Sequence, residues 1–108
     1  MDYNVDCEEL YDTSLKLKRI VDQAMNNGGL SEDDLDAFYS ITMQMYLPGE
    51  YGDNFRANVN GAMNKVRSNI SNERNFEILY KIADFPKKIA DIMSQSDMNT
   101  ADMIRRSR

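Results

Sequence analysis

Three features of the sequence predict an all-α fold, a compact bundle of four to five short helices in a single domain. Apolar residues recur at helical spacing, most clearly at Phe55, Val59, Ala62, Val66 and Ile70, which share one stripe of a helix and match no two-residue strand period. Helix caps and breakers punctuate the chain at Gly28-Gly29, Ser31 and Pro48-Gly49. The length of 108 residues is that of one domain. No internal repeat or long linker divides it, so one domain spanning 1–108 is expected, with 1–5 and 97–108 as loose ends.

The first helix is expected from Asp6, an N-cap followed three residues later by Glu9. Leu10, Leu17, Val21 and Ala24 form its apolar stripe, and Gly28-Gly29 ends it because glycine takes the left-handed conformation that closes helices. Ser31 to Asp34 reads as a capping box that opens a second helix. Leu35, Phe38, Thr42 and Met45 form its stripe, broadened by Tyr39, Ile41, Met43 and Tyr46, so it should be the most buried helix and stop at Pro48-Gly49. Asp53 or Asn54 then caps a helix running to Ile70, expected at the centre of the bundle, with Val59, Ala62 and Val66 in the core. Gly61 would be explained by a close helix crossing there. Ser71 or Asn72 caps a fourth helix with Phe76, Leu79, Ile82 and Ala83 inward. Pro86 predicts a kink or the start of a fifth helix carrying Ile89, Ile92 and Met93.

Composition removes several kinds of chemistry. There is no histidine and one cysteine, so serine-histidine and cysteine-histidine catalysis and thiolate metal clusters are excluded. The acids do not follow the spaced pattern of a calcium loop. No catalytic, metal or cofactor site is expected, and the protein should not be an enzyme. Cys7 cannot form an intramolecular disulfide, and no stretch approaches the ~20 apolar residues of a membrane span. A cytoplasmic location is the expectation.

Charge is the more informative feature. Residues 1–54 carry 12 acids and 3 bases, whereas residues 55–108 carry 6 acids and 10 bases, so a half of net charge −9 is joined to one of +4. Glu32, Asp33, Asp34 and Asp36 form the densest acidic group, and Asp36 lies beyond the positions where a helix dipole rewards an acid. These four residues, with Tyr46 and Tyr51 flanking the Pro48-Gly49 turn, are the candidate partner-binding set. The basic alternative is phosphate contact through Arg56, Lys65, Arg67, Lys87 and Lys88. These bases are dispersed, and the acidic half would repel a duplex, so direct nucleic-acid binding ranks second. Surplus apolar residues on the second helix, Ile41, Met43 and Tyr46, make a homodimer the further expectation.

Two resemblances bear on function. Tyr51-Gly52 followed by Phe55 and a long helix, after an acidic first helix, resembles the secreted helical hairpins of the WXG100 family. Tyr51 stands there in place of the tryptophan, and Gly28-Gly29 with the Ser31 cap breaks the long first helix of that family. In size, acidity and lack of a catalytic motif the chain is similar to small phage-encoded inhibitors such as anti-CRISPR proteins. The expectation is a non-enzymatic protein-binding module, an acidic inhibitor of phage or mobile-element origin that occludes a basic, nucleic-acid-handling partner. The alternatives are a helical nucleic-acid-binding regulator and a secreted WXG100-like partner protein.

Overall fold

The computed structural model describes the backbone of residues 7–47 and 49–106 and the side chains of 7–47 and 49–94. Four helices account for all regular structure among them: α1 (Cys7–Asn26), α2 (Glu32–Gln44), α3 (Gly49–Ser68) and α4 (Arg74–Arg106). The bundle is all-α, as its periodicity predicts, with four helices rather than five. The cap expected at Asp6 and the loose segment 1–5 lie outside the described residues.

The helix ends follow from local chemistry. Gly28, with φ of 91°, closes α1: its N–H reaches the Met25 carbonyl at 3.2 Å and that of Gly29 reaches Ala24 at 2.9 Å, the paired bonds of a Schellman cap. Ser31 caps α2 reciprocally, its Oγ accepting the Asp34 N–H at 3.1 Å while Asp34 Oδ2 accepts the Ser31 N–H at 3.0 Å.

Helix α2 stops earlier than its apolar pattern suggests. Met45 is already extended, with ψ of 133°, and from there the chain alternates: Met45 and Leu47 are buried while Tyr46 between them is exposed. That alternation is the two-residue period of extended chain, so Met45 and Tyr46, which the helical pattern includes, lie beyond the end of α2. It is no more enclosed than α1, with Tyr39, Ile41 and Met43 only half-buried.

Helix α3 begins at Gly49, four residues before the expected cap. A Cβ on Gly52 would lie 2.6 Å from the Leu47 carbonyl oxygen, so a side chain there would collide with the incoming backbone. Gly61 has open space instead, with nothing within 4 Å of where its Cβ would be, so the close crossing expected there is not made. Val59 and Val66 are fully buried, Met63 joins them, and Ala62 is half-buried at the edge of the core.

Pro86 neither ends α4 nor starts a fifth helix. The 33-residue helix continues through it, about 50 Å long at 1.5 Å per residue, and residues 97–106 are its last turns. Pro86 itself is fully buried. Its missing N–H costs a helical bond, and its ring crowds the carbonyl four residues back. The next backbone donor, the Lys87 N–H, meets the Oγ of buried Ser14 at 2.9 Å.

The most extensive helix contact is between α1 and α4, so that antiparallel pair, rather than α3, organises the bundle. A ladder of polar contacts fixes its register. Tyr11 donates to Asp91, Lys18 Nζ lies 3.2 Å from Asp84 Oδ1, and Tyr80 donates to Asp22. Between the rungs, Leu10, Leu17, Val21 and Ala24 pack in one core with Leu79, Ala83, Ile89 and Ala90. Helix α3 docks on α4 through Phe55 and Phe85, whose rings stack with centroids 5.0 Å apart. Among the described residues, no helix is long and apolar enough to cross a membrane.

Candidate functional site

The acidic group occupies the first turns of α2, and its four members have different roles. Asp34 is engaged in the capping box. Glu32 and Asp36 are one helical turn apart, where like charges repel. Arg67 of α3 spans them, with Nη1 2.7 Å from Glu32 Oε2 and Nη2 2.9 Å from Asp36 Oδ1. The Asp36 hydrogen bond raises the Arg67 pKa above its ordinary value and outweighs the opposing loss of solvation, with the charges of Glu32 and Asp36 adding to it. Asp33 is exposed and has no ion-pair partner among the described residues.

This fork joins two sets that the sequence keeps apart, since Arg67 belongs to the phosphate-contacting alternative. It also gives Asp36 a structural partner. The two carboxylates nevertheless stay open to solvent, with side-chain exposures of 62% for Glu32 and 67% for Asp36. A carboxylate has about four lone-pair positions, so one guanidinium nitrogen on each leaves further acceptor sites facing outward. The face therefore presents four carboxylates against one guanidinium.

Tyr46 and Tyr51 are exposed by 62% and 46%. Tyr46 follows the C-terminal end of α2 and Tyr51 lies in the first turns of α3, so they sit roughly 20 Å, the length of α2, from the acidic turns. The partner-binding set thus divides into an acidic patch and a tyrosine patch. Tyr51 and Gly52 are inside a helix rather than in the turn between two helices. Tyr39 and Tyr80 are half-buried with bonded hydroxyls, Tyr39 to Asn60 Oδ1 at 3.0 Å and Tyr80 to Asp22.

The other members of the basic alternative are scattered. Arg56 lies 3.7 Å from Asp53 and Lys88 lies 3.8 Å from Asp84, whereas Lys65 and Lys87 have no carboxylate partner among the described residues. Lys65 faces the start of α4, while Lys87 stands beside Pro86 in its middle. What sequence reasoning missed is that Lys65 lines one groove with Arg74 and Lys81. Spacing along the chain signals only the i,i+7 relation of Arg74 and Lys81 on one face of a helix.

Two tyrosines carry shifted pKa values. The bonds that Tyr11 donates to Asp91 and Tyr80 donates to Asp22 raise both phenols above the ordinary 10.0, reinforced by burial and by the carboxylate charge. Both belong to the α1 and α4 ladder. Among the described residues no group of three or more Cys, Asp and Glu could hold a metal ion. No family model, no curated protein and no solved structure matches the chain.

Proposed function

We propose that the protein is a non-enzymatic binding module whose acidic α2 face, Glu32, Asp33, Asp34 and Asp36, engages the lysines and arginines of a nucleic-acid-handling protein and competes there with nucleic acid. A small acidic inhibitor of phage or mobile-element origin, acting in the cytoplasm, would work in this way. The supporting observation is the fork itself. Arg67 already grips Glu32 and Asp36 in the geometry an incoming arginine would use, yet both side chains remain more than half exposed. A partner's guanidinium can take the outer lone pairs or displace Arg67.

Clustered carboxylates on a rigid helix steer a basic partner and fix its approach, more through association rate than through intrinsic affinity. Contacts between exposed charges weaken with salt, because screening becomes strong beyond ~8 Å at physiological ionic strength. The test is a triple variant, Glu32→Gln with Asp33→Asn and Asp36→Asn, which leaves the Asp34 cap in place. Parent and variant are compared for capture of protein from nuclease-treated bacterial lysate at low and moderate salt. The proposal expects a partner retained by the parent, released by salt and lost by the variant, with the helical spectrum unchanged. Equal retention by both would remove the acidic face from the interface.

A further inference from the structure

The cations whose side chains are described fall into two groups. Lys16, Lys18, Arg56, Arg67 and Lys88 each have a carboxylate partner. Arg19, Lys65, Arg74, Lys81 and Lys87 have none among the described residues, and three of these five, Lys65, Arg74 and Lys81, line one groove of about 350 Å³ where the end of α3 meets the start of α4. Lys65 has a local reason, since it lies in the last turn of α3, where a cation complements the helix dipole. Arg74 has the opposite one. It is the first residue of α4, at the positive end of that helix, where a cation is unfavourable. An arginine held there with two lysines, none of the three paired with a carboxylate among the described residues, calls for an anion.

The neutral lining has the same bias. Asn69 Oδ1 accepts from Ser71 Oγ at 3.5 Å and Asn72 Oδ1 accepts from the Arg74 N–H at 3.0 Å, so each amide oxygen is engaged and each amide nitrogen remains a donor. Glu77 is the one carboxylate on the lining. The groove is rich in donors and poor in acceptors.

We infer that this groove binds a phosphate monoester, its terminal phosphoryl group lying between Lys65, Arg74 and Lys81. Such a group carries about −1.5 to −2 charges at neutral pH and three acceptor oxygens, which suits a lining of three cations and two amide donors better than a planar monoanion does. The site does not depend on the reading of the α2 face. Glu77 opposes the ligand charge and limits its affinity.

The test follows backbone amide resonances of the full chain during titration with inorganic phosphate and, separately, adenosine 5′-monophosphate, at ionic strength held constant with sodium chloride. Saturating shifts are expected across Ser68 to Lys81 with both probes. Arg74→Gln and Lys81→Gln should each weaken binding about tenfold or more, as loss of a charge-assisted bond implies. Glu77→Gln should tighten it, and Lys87→Gln, outside the groove, should leave it unchanged. Equal affinity for the two probes would mean that the phosphoryl group alone is recognised, and tighter binding of the nucleotide that the groove also holds its ester group; either supports the site. Shifts that stay linear for inorganic phosphate, a response to the nucleotide alone, or a Lys87→Gln effect as large as that of Arg74→Gln would overturn it.

Discussion

The hydroxyl of Ser14 accepts the backbone N–H of Lys87 at 2.9 Å, tying the middle of α1 to the residue that follows Pro86 in α4. A buried serine on an apolar helix face and a proline inside a long helix are each unfavourable alone. Together they satisfy each other. The contact lies within the most extensive helix pair of the bundle, between the Tyr11 and Lys18 rungs of its polar ladder.

Ser14→Ala should therefore destabilise the fold by about 1–2 kcal/mol, the cost of leaving a buried donor without its acceptor. Urea denaturation measures this. In a double-mutant cycle with Pro86→Ala the effect should shrink, because a regular helix offers Lys87 an acceptor of its own. Equal costs of Ser14→Ala in both backgrounds would show that the hydroxyl does not compensate for the proline.

The two glycines of α3 make opposite predictions. Gly61→Ala places a methyl in open space and removes a helix-weakening glycine, so it should stabilise by about 0.5–1 kcal/mol. Gly52→Ala drives a methyl against the Leu47 carbonyl and should destabilise. The urea midpoints should move in opposite directions.

Much of the fold is legible in the sequence because it depends on local chemistry. The Ser31 capping box, the Gly28-Gly29 stop and the stripe of Phe55, Val59 and Val66 require only neighbours within a few turns. What was illegible depends on partners distant in sequence. Pro86 reads as a break unless Ser14 is known to lie beside it, and Gly61 reads as a crossing unless the space beside it is known to be open. The segment from Met45 to Leu47 defeats periodicity because a short buried extended run resembles the apolar face of a helix. The candidate site shows the same division. The acids at the start of α2 were visible as a cluster, but their link to Arg67, 31 and 35 residues away, was not.

Tyr11 and Tyr80 make stability depend on alkaline pH. Their folded pKa values lie above the 10.0 of the unfolded chain, so the folded state holds these protons more tightly. The stabilisation is complete below pH 10.0 and is lost as pH rises through the folded values. Urea midpoints should hold up to about pH 10 and fall as the pH rises further. Tyr80→Phe and Tyr11→Phe should each flatten that fall, and an undiminished slope in the double variant would assign it to other groups.

The central claim is that the α2 carboxylates form the interface, and Arg67→Gln tests it most directly. That change removes the internal cation and leaves Glu32 and Asp36 unpaired on the surface. Titrated against the partner retained by the parent, Arg67→Gln should bind about threefold to tenfold more tightly and with a steeper dependence on salt, since two carboxylates are released to the basic surface. If Arg67 instead contacted phosphate or partner directly, its removal would weaken binding. Weaker or unchanged affinity in Arg67→Gln would contradict the account.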